Sequence, residues 1–228
     1  MAKFTPGAIV SEISGKIAAT IYTRNKGGNV IRNRRTPINR RSVGQSTVRQ
    51  RLGNLAAGWR GLSAANRASW NAAAPNFPYQ NTLGETKYLS GEQVYVQFNS
   101  NLLILGAAAV ATAPSPFSFE TYTIALTANT TPVLSLAFTP TPMTAFNNLA
   151  VYATPPLSAG IDSPNKSKFR LITTIAAAAS SPANILTAYQ NVFGTPPLGQ
   201  KVFVEVRPIA STGQGGTPLR AVATVTAP

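Results

Sequence analysis

The chain has no cysteine and no histidine among its 228 residues. Without them there are no disulfides, no thiolate or imidazole metal ligands, and no Ser-His-Asp or Cys-His catalytic arrangement; the redox compartment is left unspecified. Acids are almost as scarce. The six carboxylates (Glu12, Glu85, Glu92, Glu120, Asp162 and Glu205) are too scattered for any two to have the spacing of a paired acid/base site or an oxygen cage. No enzyme activity is expected on that inventory, and no catalytic residue, cofactor or metal is assigned. Long apolar runs are also missing. Residues 102–110 fall far short of the roughly 20 apolar residues that cross a bilayer, and residues 1–10 lack the apolar core of a signal peptide. Neither a membrane partner nor a cleaved leader is expected.

What is present is positive charge, unevenly placed. Residues 1–70 hold thirteen Lys or Arg against the single acid Glu12, so they carry +12 of the net +14. A positive field so confined attracts phosphate or carboxylate surfaces by steering and counterion release. The candidate contact residues are Arg24, Lys26, Arg32, Arg34, Arg35, Arg40, Arg41, Arg49 and Arg51. Guanidinium forks bind carboxylate as well as phosphate, so protein and nucleic acid stand level as their partner.

Read in order, residues 9–23 are rich in Ile, Val, Thr and Tyr, and Asn25-Lys26-Gly27-Gly28 supplies turn chemistry before an extended run over 29–34. This pattern predicts a β-hairpin with Gly27 and Gly28 at positive φ. Residues 35–46 have no apolar period and read as an extended arm. Ser46 or Thr47 is expected to cap a helix in which Val48, Leu52, Leu55, Trp59 and Leu62 form one apolar stripe. Ser63 is the expected cap of a second helix, 64–74, anchored by Trp70 and ended by Pro75. The two tryptophans are expected to pack on each other in a core, the alternative being stacking on a base or sugar. Residues 76–89 read as a loop. Ser90 opens a third helix, with Val94, Phe98, Leu102 and Leu105 on one face and Gly106 as its stop. Together these make an α+β amino-terminal attachment module over residues 1–106.

Residues 107–118 form a linker of small residues and prolines, after which the apolar period changes to two. Alternating runs near 122–126, 134–138, 149–153, 169–175, 202–206 and 219–225 predict an all-β antiparallel sandwich over 119–228, with a helical crossover at 185–193. Tyr152 and Tyr189 fall within these periods and read as core. Their alternative use is as a carbohydrate-binding or adhesin platform.

Two resemblances accompany this reading. The run Pro197-Leu198-Gly199-Gln200-Lys201-Val202-Phe203-Val204-Glu205-Val206-Arg207 resembles the penultimate strand of fibronectin type III domains, with Val202 in place of the corner tyrosine, and implies an immunoglobulin-like sandwich. Gly15-Lys16, Asn25-Lys26-Gly27-Gly28, Arg34-Arg35-Thr36-Pro37, Arg49, Trp59-Arg60-Gly61-Leu62-Ser63 and Arg67-Ala68-Ser69-Trp70-Asn71 are similar to uncharacterised structural proteins of tailed phages and prophages. That likeness implies a non-enzymatic virion component: a capsid, decoration, neck or tail part fastened through its basic module. It would sit in the host cytoplasm before assembly and in the virion afterwards. The implied partners are other virion proteins and further copies of the chain in an oligomer, with packaged nucleic acid as the alternative.

Overall fold

The computed structural model describes residues 2–7, 12–35, 39, 41–129, 133–143 and 147–227. Helices and antiparallel sheets occur together, so the class is mixed α+β. The chain divides into two compact units, Met1–Gln97 with Val110–Pro116, and Phe98–Ala109 with Phe117–Pro228.

The first unit begins with strands β1 (Ala2–Phe4), β2 (Gly15–Ile17), β3 (Thr20–Asn25) and β4 (Gly28–Asn33), paired in the order β1-β4-β3-β2. The expected hairpin is β3 and β4, with Asn25 opposite Gly28 across the turn. Only one of the two turn glycines has a positive φ, Gly28 at 104°. The Asn25 side chain closes the turn instead, its Oδ1 accepting from the Gly27 N–H at 2.9 Å. The single strand expected over 9–23 is broken, because a turn at 18–19 separates β2 from β3.

Helix α1 (Val43–Gly61) starts about one turn before the expected position. Ser42 is its cap, with Oγ accepting from the Gln45 N–H at 3.4 Å. Thr47, an expected cap, instead donates its hydroxyl to the Val43 carbonyl at 3.0 Å, inside the helix. The apolar stripe is buried only in part. Leu55 is buried, but Val48 and Leu52 remain 53% and 46% exposed. Helix α2 (Ala64–Ala73) follows its expected cap, Ser63 Oγ accepting from the Asn66 N–H at 3.2 Å, and Pro75 sits in the 3-10 turn that ends it.

Residues 76–89 are a correction to the expected loop. They hold β5 (Pro78–Gln80) and β6 (Thr86–Tyr88), a short hairpin. The buried Asn81 side chain builds its turn by accepting from the Leu83 and Glu85 N–H groups at 2.8 and 3.0 Å. Helix α3 (Gly91–Ile104) opens on a reciprocal cap: Ser90 Oγ accepts from the Gln93 N–H at 3.4 Å, and Gln93 Oε1 from the Ser90 N–H at 2.9 Å. In the first unit, Tyr95 meets both tryptophans, at ring-centroid distances of 5.5 Å to Trp59 and 5.5 Å to Trp70. The aromatic core is therefore centred on a tyrosine that follows both indoles in sequence. Trp70 is fully buried, and its Nε1 donates to the Ala111 carbonyl at 2.8 Å.

The second unit contains β7 (Thr123–Asn129), β8 (Val133–Thr139), β9 (Asn147–Ala153), β10 (Arg170–Ile175), β11 (Ala183–Asn184), β12 (Lys201–Ala210) and β13 (Leu219–Thr224), with α4 (Leu186–Phe193) between β11 and β12. Two antiparallel sheets result, β11-β8-β7 and β10-β9-β12-β13. They share one core of Leu134, Leu136 and Phe138 from β8, Leu149 and Val151 from β9, and Val202, Val204 and Val206 from β12. Burying each such apolar side chain is worth about 1.5–3 kcal/mol. From α3, Phe98 and Leu102 accommodate Gly213 so closely that a Cβ there would lie 2.4 Å from the Phe98 carbonyl oxygen. With φ at 86°, Gly213 is required by both space and backbone.

Candidate partner interface

The sequence of the first unit holds fourteen Lys or Arg against three acids, and that of the second six against three. Strand register sorts the basic residues of the small sheet. Cross-strand partners share a face, and successive residues alternate between faces. Arg24 lies opposite Asn29, which in turn pairs with Phe4. Lys16 pairs with Ile21, and Ile21 with Arg32, on the other face, together with Lys3 opposite Val30. The predicted contacts Arg24 and Arg32 therefore point to opposite sides of the sheet. Lys26 sits in the turn, and Arg34 and Arg35 follow β4, all three exposed.

On the Arg24 face the charge is partly spent. Arg24 Nη1 donates to Glu12 Oε1 at 3.1 Å in an exposed pair, a contact worth at most about 1 kcal/mol. Nearby, a cleft of about 200 Å³ is lined by Phe4, Arg24, Asn29, Glu85 and Lys87, among others. A hydrogen bond from Asn81 and the ion pair with Lys87 hold the Glu85 carboxyl below its ordinary range. Asn81 Nδ2 and Lys3 Nζ both donate to the Gly27 carbonyl, at 3.2 and 2.7 Å, tying the two hairpins of the unit together.

The remaining predicted contacts gather around the start of α1. Arg41 has a left-handed φ of 47° just before the Ser42 cap. Its backbone N–H donates to Asn39 Oδ1 at 3.3 Å, and Arg49 Nη1 donates to the same oxygen at 2.8 Å. Asn39 was not singled out in the sequence. In a stretch with no acid between residues 13 and 84, amide oxygens are what remains to orient arginines, and that scarcity is the signal that could have found it. Arg49 is exposed and Arg51 half-buried; Arg40 lies outside the described residues. At about 100° per residue, Arg51 falls on one flank of the Val48, Leu52, Leu55 and Trp59 stripe, and Arg49 and Arg60 on the other. The exposed start of α1 is thus an apolar seam edged by cations, with no Asp or Glu anywhere in the helix.

Neither tyrosine named as a sugar platform in the second unit stands free. Tyr189 is fully buried, and its hydroxyl donates to the Thr154 carbonyl at 3.1 Å. Burial pushes this phenol up, beyond the usual tyrosine range. The Tyr152 ring is covered by the Arg207 guanidinium, 4.5 Å from the ring centroid. Arg207 and Arg220 both reach the buried Glu205, at 2.7 and 2.9 Å. Among the described residues there is no group of three or more His, Cys, Asp or Glu that could hold a metal ion, and no helix long and apolar enough to cross a membrane. Comparison of the chain with protein-family models, curated proteins and solved structures finds no match.

Proposed function

We propose that the protein is a multi-copy virion structural component of a tailed phage, attached through its basic first unit, with the second unit an immunoglobulin-like sandwich that projects from the particle or pads an interface. The observation that carries this reading is α1: a 19-residue helix whose first turns keep Val48 and Leu52 about half exposed beside arginines. A helix of this pattern is stabilised by covering that face. The sandwich assignment is supported by strand order. The first, second and fifth strands of the unit pair in one sheet, and the third, fourth, sixth and seventh in the other. Seven short antiparallel strands divided between two sheets over one core support the sandwich architecture that fibronectin III domains share.

The test is co-sedimentation with nuclease-resistant particles from the source, washed at high salt, with copy number by quantitative mass spectrometry. Many copies surviving the wash are expected. Absence from particles overturns the proposal. Loss together with nucleic acid supports the second reading, a nucleic-acid-binding or packaging protein, which is favoured by Lys3, Lys16 and Arg32 sharing one sheet face.

A further inference from the structure

We infer that the amino-terminal half of α1 docks into an acid-rimmed apolar groove on a different virion protein, and that this contact, rather than nucleic acid, holds the chain in place. The inference rests on the virion reading above and names the partner's chemistry.

Three features select the occupant. First, Val48 and Leu52 continue the stripe in which Leu55 is buried and Trp59 half-buried further along the same helix. A phosphate backbone offers nothing to cover two aliphatic side chains, whereas a groove lined by apolar side chains does, reading such helices at i, i+4 and i+7. Second, cations border both sides of the seam and no acid lies within the helix. The complementary rim is therefore negative, and paired forks at its edges would fix register. Third, the charge argues against a second copy as the occupant. The unit carrying α1 has fourteen basic residues and three acidic ones, so two such faces brought together repel. Asn39 already holds the Arg49 guanidinium, so part of the rim is arranged before any partner arrives.

The test is made with the full chain, produced in the cells that make the particles. Val48→Ser/Leu52→Ser removes the seam at positions about half exposed, and is expected to lower copies per particle at least tenfold. Val43→Ser is the control. It is 84% exposed and, at about 100° per residue, lies about 140° around the helix from Val48, so incorporation is expected to stay at the wild-type level. Circular dichroism of each purified variant reports whether the helices are intact. Because the chain has no cysteine, a Gln45→Cys variant bearing a photo-crosslinker gives a single labelled site beside the seam, exposed and about 60° around the helix from Val48. Crosslinks to an acidic segment of another virion protein are expected. Full incorporation of the folded double-serine variant, or crosslinks only to nucleic acid or to another copy, overturns the docking inference and leaves the virion reading standing. Absence of the wild-type chain from particles overturns both.

Discussion

Glu205 shows how one residue's environment becomes a property of the protein. Its side chain is 4% exposed and meets Arg207 and Arg220, each of which lies over an aromatic ring, Tyr152 and Phe169. Burial disfavours the ionised form, but the two guanidinium hydrogen bonds and charges outweigh it and hold the carboxyl below its ordinary value. A depressed carboxyl stabilises the fold above its unfolded pKa of about 4.3 and loses that contribution as pH falls through the lower folded value. Glu205→Gln leaves two partly exposed arginines facing a neutral amide and is expected to cost about 1–2 kcal/mol at neutral pH. The gap between wild type and variant, followed by denaturant titration across pH, should be constant above the carboxylate range and close in acid. A gap that widens in acid would contradict this assignment.

At the scale of elements, helix starts differ in what depends on them. Ser63 caps α2, which carries the fully buried Trp70 into the aromatic core; Ser42 caps α1, whose first turns bury nothing. Ser63→Ala is expected to lower stability by about 1 kcal/mol in tryptophan-monitored unfolding, and Ser42→Ala to change it by much less. Elements longer than about five residues were legible in the sequence because they repeat their period. The β3-β4 hairpin, α2, α3, α4 and six of the seven strands of the second unit follow from alternation, helical spacing, caps and turn glycines. β1, β5, β6 and β11 hold two or three residues each, too few to show a period. Tertiary contacts define them, as when Asn81 folds the β5-β6 turn around its own side chain. The basic candidates were visible as charge, but their division between two sheet faces depends on register. The exposed seam was hidden because Val48 and Leu52 have the spacing of core residues, and spacing alone does not say what covers them.

The whole molecule is charge-divided, and that division has a measurable signature. If phosphate contacts hold the chain, binding of the full protein to random duplex DNA falls steeply with salt, the log-log slope growing by about 0.9 for each phosphate neutralised. With the apolar seam as the main contact, attachment to particles is expected to keep most of its strength across the same titration. A DNA-like slope for particle attachment would transfer the weight to nucleic acid. The aromatic cluster of the first unit lends itself to a separate use. Both tryptophans of the chain lie there, each in contact with Tyr95. Ultraviolet excitation that spares tyrosine therefore lights only that half of the protein, a native fluorophore pair through which engagement of α1, the helix that carries Trp59, can be followed without a label.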